Sequence, residues 1–139
     1  MYEFLAILIS LIIACVATWI HLKVITASSR IKNVYILTLI ILLAHIAEIQ
    51  VYAWSYNLIS LVPGMGCIVD TTGECVNTWF DLTYYSAAVY TTLGFGDLVP
   101  IGPMRILTGI ESVVGLALIA WSATFTFMRL STLEKPETD

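Results

Sequence analysis

The sequence predicts an all-α membrane protein, with three spanning helices and one short helix that enters the membrane without crossing it. Three observations carry this reading. Hydrophobic residues make up 59% of the 139-residue chain and charged residues only 12%, against about 25% charged in soluble domains. Three apolar stretches each exceed the roughly 20 helical residues needed to cross a hydrocarbon core of about 30 Å. Between the second and third lies a helical stretch too short to span, followed by glycine-bearing backbone. The length suits one domain, and a net charge of −4 argues against a nucleic-acid surface or a polybasic lipid anchor.

The first span runs from about Tyr2 to Ile25. With the hairpin after it, it forms an N-terminal unit over residues 1–33. It lacks the basic start of a signal peptide and carries Glu3 instead, so it is expected to stay on the chain. The run "IIAC" at Cys15 superficially matches a lipoprotein cleavage box. The missing positive charge and the apolar continuation argue against cleavage there.

The second span is expected over 34–61. The loop over 62–77, "VPGMGCIVDTTGECVN", is rich in turn residues. The segment 78–91, "TWFDLTYYSAAVYT", reads as a short helix with Asn77 or Thr78 as cap and Asp81 in its first turn. It leads into "TLGFGD" at 92–97. Irregular backbone at membrane depth survives only where protein buries it or water lines it, so this segment is expected to be re-entrant. The third span is expected over 103–128, since proline is tolerated in a first helical turn. A short tail, 129–139, follows, and no cytoplasmic ligand-binding domain is expected.

Charge sets the expected orientation. Of six basic residues, Lys23, Arg30, Lys32, Arg129 and Lys135 fall at the first hairpin or after the third span, and only Arg105 lies on the other side. Basic residues collect on the cytoplasmic face. The hairpin and C-terminus are therefore expected in the cytoplasm, and the N-terminus and short helix outside, with the chain integral to the plasma (cell inner) membrane. Glu3, Asp70, Glu74, Asp81 and Asp97 then form an acidic outer side that concentrates cations. Trp54 and Tyr56 read as an aromatic belt, whereas Trp79, Phe80, Tyr84 and Tyr85 suit a packed cuff around the re-entrant loop.

The glycine pattern points to chemistry. A dehydrated cation needs a ring of oxygen ligands. Backbone carbonyls supply them when left- and right-handed residues alternate, and glycine enters φ > 0 without steric cost. Gly94 and Gly96 have this spacing, and Thr92 adds a hydroxyl oxygen at the inner end. The short helix points its negative C-terminal end toward the same place.

With these residues in view, "TTLGFGD" resembles the selectivity filter of potassium channels, whose usual core is TVGYG. The resemblance covers Val34 to Met128: outer helix, pore helix, filter and inner helix. It implies K⁺ held at Thr92, Leu93, Gly94 and Phe95, with Gly96 completing the filter and Asp97 at the outer mouth. It implies a homotetramer around one central pore in the lipid bilayer, since one chain supplies one wall of a filter. Arg105 and Gly115 match a basic residue and a hinge glycine found in many members. Phe95 stands where tyrosine is usual, and Leu93 where valine is. The first span has no counterpart in the minimal two-helix pore, and it lacks the spaced arginines of a voltage sensor.

The expected function is passive potassium-selective conduction, with K⁺ in the filter, no organic cofactor and no enzymatic constellation. One alternative is a weakly selective monovalent cation channel. A second is a metal or proton transporter built on His45, Glu48 and Glu111. His45 and Glu48 lie three apart on one helix face. Two readings stand for them: a packing pair, or a site that senses pH or binds a cation. His21 is expected near the interface. Glu111 is expected as a buried carboxylate accepting hydrogen bonds from the pore helix or second span, with His45 as another possible partner. Cys67 and Cys75 are spaced to close a disulfide on the oxidising side. Gly115 reads equally as a gating hinge or a close-packing residue. Ala117, Ala120 and Ser122 continue a small-residue pattern suited to helix contacts or a cavity.

Overall fold

A computed structural model of the chain describes residues 2–31 and 33–133. Four helices carry it. Helix α1 spans Tyr2–Ser28, α2 Val34–Ser60, α3 Trp79–Tyr90 and α4 Met104–Leu133. Three of them, α1, α2 and α4, are long and apolar enough to cross a membrane. The 12 residues of α3 reach about 18 Å at 1.5 Å per residue, well short of a crossing.

Local chemistry sets the helix ends. The Asn33 side chain accepts from the N–H groups of Tyr35 (3.0 Å) and Ile36 (3.3 Å) and starts α2. Thr78, rather than Asn77, caps α3: its hydroxyl accepts from the Asp81 N–H at 3.2 Å and donates to the Asp81 carboxylate at 2.6 Å. Such caps satisfy N–H groups that have no partner inside the helix. Helix α4 begins one residue after Pro103 and continues to Leu133, past the expected end at 128. Residues 129–133 of the expected tail are therefore helical. Lys32 and residues 134–139, with Lys135 among them, lie outside the described residues.

Helix α1 packs on α4 and α2 of its own chain. Its buried face is Ala6, Ser10, Ala14, Ala17, His21, Ile25 and Ser28, at helical spacings of three and four. Small residues let helix backbones approach closely where lipid offers no hydrophobic drive for association. The other face, with Phe4, Leu8, Leu11 and Trp19, is exposed. The two ends of the bundle are tied separately. The Arg129 guanidinium donates to the Ile31 carbonyl at 2.9 Å, which joins the end of α4 to the first hairpin. At the opposite end the Tyr2 ring lies against Gly64.

Over that second end sits a small sheet absent from the all-helical expectation. Strands β1 (Ile68–Val69), β2 (Cys75–Val76) and β3 (Val99–Pro100) pair antiparallel in the order β2-β1-β3. The registers are Ile68 with Val76 and Val69 with Cys75 on one edge, and Ile68 with Pro100 and Val69 with Val99 on the other. A disulfide joins Cys67 to Cys75. Two-residue strands leave no alternation to read, so the sequence carried no period-2 signal. The close approach beneath the sheet requires a glycine. A Cβ at Gly66 would lie 2.0 Å from the Ile101 carbonyl oxygen.

The core between α2, α3, α4 and the sheet is aromatic: Tyr52, Tyr56, Tyr85 and Tyr90, with Met65, Ile68, Leu82, Met104 and Leu107. Tyr56, expected in an interfacial belt, is instead fully buried there. A bond to a buried carboxylate holds it. Trp54 is exposed, as a belt residue is, and its ring lies 4.7 Å from that of Trp79.

Candidate functional site

The segment after α3 departs from helix at once. Thr92, Gly94 and Gly96 have φ of 60°, 54° and 83°, while Leu93 and Phe95 between them stay at negative φ. This is the left–right alternation that turns successive carbonyls to one side. A Cβ at Gly94 or Gly96 would meet nothing within 4 Å. Glycine is needed there for its dihedral freedom, not for space. Thr92 is the residue the glycine pattern did not reveal. A β-branched side chain at φ > 0 is a genuine outlier, and no sequence cue marks it.

The C-terminal end of α3 holds this backbone. The Thr92 N–H donates to the Val89 carbonyl at 2.9 Å, and the Leu93 and Gly94 N–H groups both donate to the Ala88 carbonyl, at 2.8 and 3.1 Å. Thr91 closes the helix through its hydroxyl, which donates to the Ala87 carbonyl at 2.7 Å. With the N–H groups turned inward, the stretch 91–97 is exposed along its other side. The Phe95 ring stacks on Tyr84, 6.0 Å between centroids and 4° from parallel. Asp97 follows, exposed, and β3 leads back under the disulfide-closed loop.

Behind the segment lie two buried polar clusters. In the first, the Glu48 carboxylate accepts from His21 Nδ1 at 2.8 Å and from the Tyr90 hydroxyl, with His45 Nδ1 at 3.3 Å. His45 Nδ1 also lies 2.9 Å from the Tyr90 hydroxyl. Ser122 Oγ sits 3.1 Å from Nε2 of both histidines. Four helices meet here. In the second cluster, Glu111 accepts from the Ser86 hydroxyl at 2.6 Å and from the Tyr56 hydroxyl. Tyr85 and Thr108 adjoin, 2.8 Å apart.

These clusters sort the candidate residues. His45 and Glu48 do meet, yet Glu111 is in the other cluster, bonded to Ser86 of α3 and Tyr56 of α2. The three do not form one site. His21, expected near the interface, is fully buried and bonded to Glu48. Its burial follows from its place on the small-residue face of α1. The spacing Ala6, Ser10, Ala14, Ala17, His21 was the available signal. Tyr90 was missed because a tyrosine at a helix end reads as interfacial. Gly115 packs against the last turn of α3, where an added Cβ would fall 2.2 Å from the Tyr90 carbonyl oxygen. Ser122 is buried in the first cluster, while Ala117 and Ala120 are exposed.

The fold and this segment define a class: a helical membrane protein with a short helix and an alternating-φ loop set between two spans. The model of a family described as "Ion channel" matches residues 34–132, and the chain belongs to that family. Helix α1 lies outside the matched region. Over 69 residues the chain is also 35% identical to the "Uncharacterized membrane protein YdjJ" of Bacillus subtilis (strain 168), a match covering 49% of this chain and 20% of that protein. The chain thus spans about a fifth of the length of that relative. No solved structure matches it.

Proposed function

We propose that this protein is a potassium-selective channel, a homotetramer whose four copies of Thr92–Gly96 face one another across a single file of K⁺. The observation that carries the reading is the alternation of φ at Thr92, Gly94 and Gly96. A chain with that alternation offers its carbonyl oxygens along one line, as replacement of an ion's hydration shell requires. The exposed side of residues 91–97 supports the tetramer, because one chain leaves that side without protein. Asp97 adds negative charge at the mouth. The re-entrant helix opens to the outer face of the cell membrane, with the N-terminus outside and the C-terminus in the cytoplasm. The ends of the bundle accord with this: Arg129 meets the basic first hairpin, and the disulfide lies at the opposite end.

One observation favours a second reading, a channel that discriminates weakly among monovalent cations. Phe95 has no hydroxyl with which to anchor the filter, and its ring is held by stacking alone. Reversal potentials of the purified protein in planar bilayers decide between the two. With K⁺ on one side and Na⁺ on the other, the proposal expects a large reversal potential toward the K⁺ equilibrium value. A potential near zero refutes potassium selectivity, and an absence of current refutes the channel as a homomer.

A further inference from the structure

We propose that His21, His45, Glu48 and Ser122 form a proton-binding site that holds one shared proton and fastens the extra helix α1 to the seat of the filter. The argument is a count of donors and acceptors. The six polar contacts form a closed ring: Glu48 to His21, His21 to Ser122, Ser122 to His45, His45 back to Glu48 and to Tyr90, and Tyr90 to Glu48.

An ionised Glu48 only accepts. Both Nδ1 atoms must then carry hydrogen, since the Tyr90 hydrogen already points to Glu48. If both imidazoles are neutral, both Nε2 atoms are bare acceptors. Both face Ser122 Oγ, which has one hydrogen to give. One contact is then lone pair against lone pair, and the carboxylate charge stands uncompensated among fully buried side chains. One added proton removes both faults. Ser122 donates to one Nε2 and accepts from the other, and the cluster becomes electrically neutral. The same count holds if the proton moves along the ring to Glu48. In either arrangement one Nε2 carries hydrogen and the other does not.

Burial makes this count matter, because ionisable groups inside a membrane survive when paired. His21 and Glu48 are fully buried, and His45 is 15% exposed. The ring draws on every helix, with His21 from α1, His45 and Glu48 from α2, Tyr90 from α3 and Ser122 from α4. The titratable groups within electrostatic range of it are Tyr52 of α2, near Glu48 and Tyr90, and Glu111 of α4, near Tyr90. The consequence for conduction passes through Tyr90. It is the last residue of α3, two before Thr92, and its hydroxyl is bonded into the ring. When the proton leaves to water, the ring opens at Ser122 and its net charge becomes −1. One Ser122 contact is then lost, so α4 keeps its bond to only one of the two histidines, while His21 stays bonded to Glu48, and the seat of the filter loosens. The proton count stands without the channel reading, whereas the effect on conduction rests on it.

Imidazole ¹⁵N magnetic resonance of the full chain in liposomes tests this directly, because the chain has two histidines and both are in the site. At neutral pH the expected spectrum shows one protonated and one bare Nε2, converting to two bare Nε2 atoms as pH is raised. Two bare Nε2 atoms already at neutral pH overturn the proposal. So does the appearance of two protonated Nε2 atoms on adding Zn²⁺ alone, the signature of a metal bound to both Nδ1 atoms. Glu48→Gln, which removes the charge, is expected to leave no excess proton at neutral pH. Rb⁺ flux through the wild type should change at least about fivefold across the pH at which the proton leaves, the lower end of usual coupling between two sites. Equal flux on both sides of that pH, or a step that persists in His21→Gln, overturns the link to the filter. Absence of flux at every pH with the ¹⁵N signature intact refutes the channel reading and leaves the proton site standing.

Discussion

Gly115 of α4 and Tyr90 of α3 touch backbone to backbone, so closely that a Cβ on Gly115 would fall 2.2 Å from the Tyr90 carbonyl oxygen. That contact fixes the height at which α3 ends and the alternating-φ backbone of residues 92–96 begins. Gly115→Ala must therefore push α3 away from α4. Overpacking of this kind costs about 1–3 kcal/mol. Chemical unfolding in detergent should show a loss in that range, together with reduced flux. Unfolding indistinguishable from wild type would remove the packing role and leave the hinge reading of this glycine.

Much of the architecture was legible because its causes are local. Span length follows from apolar run length, the α3 cap from Thr78 and Asp81, and the positive φ of the loop after α3 from glycines two apart. What was not legible depends on encounters between helices. His21 reads as interfacial when counted from the end of its own helix, and as core once the Ala–Ser–Ala face of α1 meets α4. Tyr56 reads as a belt residue until Glu111, 55 residues away, provides a buried acceptor. Thr92 at φ 60° is held by the Val89 and Ala88 carbonyls against its own steric preference, and no propensity could announce it.

Glu111 links α4 to both α2 and α3 through two hydroxyl donors. Removing the carboxylate leaves the Ser86 hydroxyl with the Ile49 carbonyl at 2.9 Å and the Tyr56 hydroxyl with the longer contact to Thr108 at 3.3 Å, and opens a cavity. Glu111→Ala is expected to cost about 3 kcal/mol. Glu111→Gln keeps an acceptor oxygen and the volume, so its expected loss is smaller, about 1 kcal/mol. Thermal unfolding of the two variants should preserve this order. Equal or reversed losses would show that these hydrogen bonds do not carry the stability of the cluster.

The Cys67–Cys75 disulfide closes the loop whose backbone carries β3, the strand after the alternating-φ segment, since the Ile101 N–H donates to the Cys67 carbonyl at 2.9 Å. A cross-link over so short a loop contributes about 2–3 kcal/mol. Cys67→Ser with Cys75→Ser should lose that amount. The Ile101 amide should exchange its hydrogen faster, while amides at the middle of α2 keep their protection. Unchanged exchange at Ile101 would mean that the loop does not brace the filter exit.

Asp70 turns β1 into β2 outside the spans. Its carboxylate accepts from the Thr72 hydroxyl at 2.6 Å, the Thr72 N–H at 2.9 Å and the Glu74 N–H at 3.1 Å. These donors, the Thr72 hydroxyl foremost, hold its pKa below the ordinary 3.8. A lowered pKa contributes stability that is fully present above the unfolded value and is lost as pH falls through the folded one. The turn should therefore be insensitive near neutrality and loosen only below the ordinary carboxylate value. Exchange of the Gly73 amide, bonded to the Asp70 carbonyl at 3.0 Å, reports it. Asp70→Asn should flatten that acid response. An equal response in the variant would assign it to another group.

Gly94 separates the dihedral requirement of the proposed filter from its packing requirement. Its φ is 54°, and a Cβ there meets nothing within 4 Å. An L-alanine finds room but disfavours the left-handed conformation by about 1–2 kcal/mol, so the chain folds while the line of carbonyls is disturbed at its middle. Gly94→Ala is expected to assemble and to lose K⁺ flux. D-alanine at the same position prefers the observed φ, and its methyl group takes the place of the other Hα. A semisynthetic protein carrying D-alanine should therefore conduct where the L-alanine variant does not. If both conduct, the alternation at Thr92, Gly94 and Gly96 is not what binds the ion. If neither conducts although both assemble, the methyl group itself, and not the dihedral preference, is what stops the flux.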